Sequence, residues 1–111
     1  MLVAIRLLRL RNKGEDIDVP IRIFSPEQTK DGSWSCRYEI DWPGQTRKMM
    51  SAGADSVQAI FLAMQMIGSE LYTSSFHKSG QLFWDKPGEG YGFPVVPTLR
   101  ALLRGSDAQY L

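Results

Sequence analysis

His77 and Cys36 are the only histidine and the only thiol in the chain, so nucleophile–base chemistry would have to begin with that pair. It works when an imidazole reaches a sulfur that can ionise in a polar setting. Cys36 stands in "SWSCRYEIDW" between Trp34 and Tyr38, on the apolar parity of an alternating segment, where a thiol is ordinary packing. One His and one Cys leave only carboxylates for a metal, and none falls at a recognisable ligand spacing. No catalytic residue, metal ligand or cofactor is therefore assigned.

Acid/base work by carboxylates would fall to Glu39 and Asp41, which share the solvated parity of the same segment. Arg37 and Lys48 are their natural neighbours, so cross-strand ion pairing accounts for them. Arg6, Arg9, Arg11 and Arg22 could form a basic strip, but Glu15, Asp16 and Asp18 lie beside it. No stacking aromatics interleave with these arginines as single-strand binders require. Thirteen basic against twelve acidic residues give a net charge of +1, well short of the excess a phosphate-binding chain usually carries. Nucleic acid is thus disfavoured as a partner.

"PGEGYGFPVVP", Pro87 to Pro97, places Gly88, Gly90 and Gly92 at alternate positions. A dinucleotide fingerprint would need glycine at 93 or 95, where Phe93 and Val95 stand, and no Gly-Lys-Ser/Thr follows for a Walker A loop. What remains is a tight loop whose aromatics, Tyr91 and Phe93, fold back onto the body, with Tyr91 offering a polar end for recognition.

These residues have to be held by elements that the periodicity supplies. Trp34, Cys36, Tyr38, Ile40 and Trp42 alternate with polar residues, the mark of a half-buried antiparallel strand. Pro43–Gly44 turns the chain into a partner strand, "QTRKMMSA". Upstream, Ile17, Val19, Ile21 and Ile23 point inward in a strand whose Pro20 needs an open edge or a bulge. In the first segment the aliphatics change parity, and a bulge at Leu7–Leu8 would bury all five and turn Arg6, Arg9 and Arg11 outward. After Asp55, which with Gln58 makes an N-cap and capping box, the period becomes helical. Val57, Ile60, Phe61, Met64, Ile67, Gly68 and Leu71 form the stripe of a helix from Ser56 to about Tyr72. A short strand in "GQLFWD" and a C-terminal helix over Pro97–Arg104, capped by Gly105, complete the list.

The expected architecture is one α+β domain over residues 1–111. It is an antiparallel four-stranded meander with a fifth short strand in reach, one long helix packed on one face, and a short C-terminal helix. With 43% hydrophobic and 23% charged residues, the composition is that of a globular domain. Arg6 and Arg9 cut the apolar N-terminus below the length of a signal-peptide core, and the lone cysteine fits a reducing compartment. The expectation is a cytoplasmic protein without a membrane span.

"WSCRYEIDWP", "DSVQAIFLAMQMIGSELY" and "GYGFP" together resemble a family of small, single-domain bacterial proteins of unknown function. The resemblance spans roughly residues 1–105 and implies no activity and no binding residue. Trp34, Cys36, Tyr38, Gln58 and the Gly90–Pro94 loop look like its framework.

Two functions fit these features. The preferred one is a non-enzymatic binding or accessory domain acting through protein contacts, as a homodimer or with another protein. Its surfaces would be the glycine loop, Tyr91 and the back of the helix, Ala59, Leu62, Ala63 and Met66, which is apolar where a surface helix should be polar. Within the chain, the C-terminal turn with Leu99, Leu102 and Leu103 is the favoured cover for that back, with a partner chain as the other candidate. The alternative is a small-ligand binder or minor enzyme with a pocket between the aromatic strand and the glycine loop. Tyr91, Tyr38, Trp84, His77 and Glu39 would supply its polar and aromatic handles.

Overall fold

A computed structural model describes all residues, 1–111. Strand β1 (Leu2–Asn12) and β2 (Glu15–Phe24) form a hairpin in which Asn12 faces Glu15. Lys13 and Gly14 between them both have positive φ, 52° and 82°, the geometry that a two-residue turn between right-twisted strands demands. A two-residue strand, β3 (Glu27–Gln28), continues the line of β2 along the same edge of β4 (Trp34–Trp42). β4 then turns through Pro43–Gly44 into β5 (Gln45–Gly53). Helix α1 (Ser56–Thr73) follows, then the single turn α2 (Ser75–Lys78) and β6 (Leu82–Phe83), which pairs with Arg9 and Leu10 of β1. A 3-10 turn over Pro97–Leu102 and the short α3 (Gly105–Tyr110) end the chain.

The sheet therefore runs β5-β4-β2-β1-β6, all antiparallel, with β3 beside β2. Its inner face holds Leu8, Leu10, Val19, Ile21, Ile23, Cys36, Tyr38 and Ile40, each buried beneath the helix and the glycine loop. The α+β meander with its long helix is as the alternation and the helical period require. Pro20 sits opposite Leu7 and just beyond Ile21–Ile40, where the β2–β4 pairs end. No amide donor is needed at that position.

Three local expectations are corrected. The bulge in β1 lies between Leu2 and Ala4, not at Leu7–Leu8. From Ala4 onward the strand is regular, so Ile5 and Leu7 face outward at 59% and 45% exposure, and Arg6 turns in. The inward site accepts Arg6 because backbone carbonyls of the glycine loop are waiting there.

The second correction is the rotation of α1. Asp55 caps it by accepting from the Gln58 amide at 2.8 Å, and the Gln58 side chain accepts from Ala54. The buried stripe, however, is Ala59, Ala63, Ile67, Gly68, Leu71 and Tyr72, while Val57 and Phe61 stay outside. The cause is proximity. A Cβ on Gly53 would meet the Ala59 nitrogen at 2.5 Å, and a Cβ on Gly68 would meet the Pro94 carbonyl oxygen at 1.8 Å. Only small residues fit a backbone that close, so the bulkier stripe is rotated to the flank. The apolar back of the helix is thus covered by the sheet. Ala59 and Ala63 have no accessible surface, Met66 packs against the core, and Leu62 is half-buried.

Thirdly, Gly105 does not cap a preceding helix. With φ +58° it opens α3, and the segment before it is a 3-10 turn whose Leu99 and Leu103 pack on the core. No helix is long and apolar enough to cross a membrane.

Candidate functional site

The polar side chains converge where β1, the end of α1, α2, the glycine loop and α3 meet. Tyr91, in the centre of that loop, is fully buried. Arg104 Nη2 donates to Tyr91 Oη at 3.0 Å, and Tyr91 Oη and His77 Nδ1 are hydrogen-bonded to each other at 2.5 Å. Ser74 places His77 there by capping α2: its Oγ accepts from the His77 amide at 3.1 Å. The rings of Tyr72, His77 and Tyr91 pack edge to face, with centroids 4.9–5.5 Å apart.

Asp107 supplies the centre of negative charge. Its carboxylate accepts from the Tyr91 and Gly92 amides, at 2.8 and 2.9 Å, and from the Tyr72 hydroxyl at 2.6 Å. Asp107 is only 2% exposed. Arg6 closes the loop from the other side, donating to the Gly92 carbonyl at 2.9 Å while its guanidinium lies 3.9 Å over the Trp84 ring. Arg104 Nε holds the Glu89 carbonyl at 3.0 Å, and the Glu89 carboxylate accepts from the Ser106 amide.

This explains the glycine spacing. A Cβ on Gly90 would stand 2.1 Å from the Asp107 carboxyl carbon, and Gly92 combines φ +77° with a Cβ direction blocked by Arg6 and Trp84. The cradle of consecutive amides is of the kind that binds anions, and here the anion is the protein's own carboxylate.

Titration follows from the burial. Desolvation pushes the Tyr91 phenol up to about 12, with the positive charge of Arg104 opposing. The Tyr72 phenol is raised by burial and by its bond to Asp107. His77 is lowered, first by burial and then by Arg104. Protonating Nδ1 would make Tyr91 Oη accept from two cations at once. Burial also lowers Arg6, against the attraction of Asp107. At neutral pH the cluster thus holds two neutral phenols and a neutral imidazole whose Nδ1 is already engaged. No buried side-chain nitrogen or oxygen anywhere lacks a partner.

Of the residues singled out in the sequence, Tyr91, His77 and Trp84 are brought together. Tyr38 is not with them. It is buried under α1, and its hydroxyl donates to Glu70, which Arg47 also binds at 2.8 Å. Burial and then Glu70 raise its pKa. Glu39 is on the opposite face of the sheet, where Arg22 approaches it at 3.8 Å and Asp41 at 3.7 Å. Cys36 is buried, its Sγ 3.3 Å from the Phe24 carbonyl, and burial raises its pKa.

Asp107, Arg104, Tyr72 and Arg6 were not visible as a site in the sequence. An aspartate in the first turn of a short helix looks like dipole compensation. Nothing local signals that it reaches back to Tyr72 and Tyr91. No group of three or more His, Cys, Asp or Glu side chains could hold a metal ion.

Two clefts border this cluster. One of about 520 Å³ runs past Arg9, Trp84, Lys86 and Ser106. The other, about 240 Å³ and mostly apolar, lies between the N-terminal half of β1 and α1, lined by Val3, Ile5, Ile23, Ile60, Met64 and Phe93. Comparison with known proteins adds one finding. A family model described as "Domain of unknown function (DUF6968)" matches residues 4–95. No curated protein and no solved structure matches the chain.

Proposed function

The chain belongs to the DUF6968 family, and we propose that it works as a non-enzymatic binding domain acting through protein–protein contacts. One observation carries this reading: the apolar groove where β1 meets α1. Val3 and Ile5 are each about half exposed there, and Val57 and Phe61 extend the apolar surface along the helix at 71% and 51% exposure. A patch of this kind on a small domain marks a contact surface. The polar cluster supports the reading from the other direction, because its donors and acceptors are spent on holding the glycine loop. The contact surface is thus the flank of α1 with β1, in place of the helix back. Cys36, a buried free thiol, supports a reducing compartment, and we place the protein in the cytoplasm.

The test is a nuclease-treated pull-down from native lysate, run beside an absolute-mass measurement of the pure protein. A stoichiometric complex or a self-associated species, lost when Val57 and Phe61 are both changed to Glu, is the expected result. A monomer that captures no protein at any concentration overturns the reading. The cleft beside Trp84 supports a second reading as a small-ligand site, since Arg9 and Lys86 line it with Asp85 and Glu89. A metabolite screen that raises the unfolding temperature, with the effect lost in Trp84→Ala, would establish it.

A further inference from the structure

We infer that the cleft beside Trp84 is a site for a small zwitterion, with the carboxylate, ammonium and apolar body of a free amino acid. The inference rests on the small-ligand reading of that cleft and names the ligand class.

Two cations, Arg9 and Lys86, line the cleft with two carboxylates, Asp85 and Glu89. None of the four comes within ion-pair distance of an opposite charge. The ion pairs of the molecule lie elsewhere, at Arg11–Asp16, at Arg22 with Glu39 and Asp41, and at Arg47–Glu70. Glu89 spends one carboxylate oxygen on the Ser106 amide at 3.1 Å.

One of these charges is held at a conformational cost. The Lys86 amide donates to the Trp84 carbonyl at 2.7 Å, across Asp85 with φ 63°. That is a γ-turn of the rare positive-φ kind, strained for any residue with a Cβ, and such strain gathers at ligand clamps. It brings Trp84, Asp85 and Lys86 to the same cleft. Trp84 is fixed in turn by Arg6, whose guanidinium lies 3.9 Å over its ring. Gly90, a buried residue on the cleft wall, adds an amide with no acceptor in the chain. The next two amides, of Tyr91 and Gly92, are both taken by Asp107. A buried amide ordinarily has a partner.

Elimination then selects the ligand. A neutral molecule would strip water from four charges and return nothing. A plain anion would meet Asp85 and Glu89, and a plain cation would meet Arg9 and Lys86. A molecule with both charges answers all four. Its carboxylate has Arg9, Lys86 and the Gly90 amide as donors, and its ammonium has Asp85 and Glu89 as acceptors. Phe83 and Trp84 give the apolar body a wall, and about 520 Å³ is an ordinary size for a small-molecule cleft.

The test is a titration of the full chain with L-phenylalanine, N-acetyl-L-phenylalanine and L-phenylalaninamide, followed through the amide signals of Asp85, Lys86 and Gly90. The free amino acid is expected to outbind each capped form, which lacks one charge, by about tenfold or more. Asp85→Asn keeps a residue that tolerates positive φ. It should weaken L-phenylalanine by about tenfold and leave the N-acetyl form unchanged. Lys86→Gln should weaken the N-acetyl form and leave the amide unchanged. Both positions are exposed, so neither change threatens the fold. If the three signals stay still with every probe up to about 10 mM, the inference is overturned. A metabolite that stabilises the chain through Trp84 would uphold the small-ligand reading even then. Equal binding of the N-acetyl form, unmoved by Asp85→Asn, overturns the zwitterion and leaves a site for anions.

Discussion

Asp107 shows how one carboxylate can decide the shape of a loop whose amides lie fifteen and sixteen residues away in sequence. It satisfies two amides and a phenol that would otherwise be buried without partners. Each unsatisfied buried donor costs about 1–3 kcal/mol. Asp107→Ala is therefore expected to lower stability by at least ~3 kcal/mol, read from the midpoint of urea unfolding. Tyr72→Phe should cost about 1 kcal/mol, and much less once Asp107 is gone. Additive losses in that double-mutant cycle would show that the two do not share a bond. His77 gives the second expectation at this scale. Burial and Arg104 lower its folded-state pKa below the unfolded value, so the unfolded chain binds the extra proton first. Stability from this residue is complete above the unfolded value of about 6.5 and falls as pH drops through the window down to the folded pKa. His77→Gln should flatten that part of the stability–pH curve, and the ring's proton shifts should titrate below the ordinary histidine range. A ring titrating at or above that range would contradict the buried, Arg104-facing placement.

Among the elements, helix α1 carries the sharpest contrast. Its small residues face the sheet and several of its large ones face water. Ala63→Leu must push α1 off β4 and β5, at a cost of about 1–3 kcal/mol, whereas Val57→Ala should stay within about 0.5 kcal/mol. Equal losses in thermal unfolding would mean that the helix is rotated as its hydrophobic stripe alone suggests. That stripe shows what the sequence could convey. β2 and β4 were legible because alternation is a local property: a residue's parity decides its face. The extent and cap of α1 were legible for the same reason, through Asp55 and Gln58. Its rotation was not, because it depends on how close Gly53 and Gly68 let other backbone segments come. The bulge in β1 was misplaced by treating arginine as an outward residue, when loop carbonyls far along the chain make an inward Arg6 favourable. Of the candidate site, the aromatic and imidazole members stood out by type. Their anchors, Arg104 and Asp107, did not, since only a folded chain brings residue 107 to residues 72 and 91.

Across the whole molecule the two ends of the chain close on the same loop. Arg6 reaches Gly92 from β1, and Asp107 reaches it from α3. The family match stops at residue 95, so Arg104 and Asp107 lie beyond the matched region, while the Gly90–Pro94 loop that they hold lies inside it. The sheet and α1 contain most of the core cluster and do not depend on those last residues for their own pairing. Removing residues 104–111 should therefore leave the far-ultraviolet spectrum nearly intact. It should release the Tyr91 and Gly92 amides, whose acceptor is Asp107. Amide exchange at these two positions is expected to accelerate by a hundredfold or more, about 3 kcal/mol of lost protection. The β2 and β4 amides should change far less. Uniform acceleration across the sheet would show that the C-terminal segment is part of one cooperative unit with the core. Loop exchange that is slow and unaltered would show that Arg6 alone holds the glycines in place.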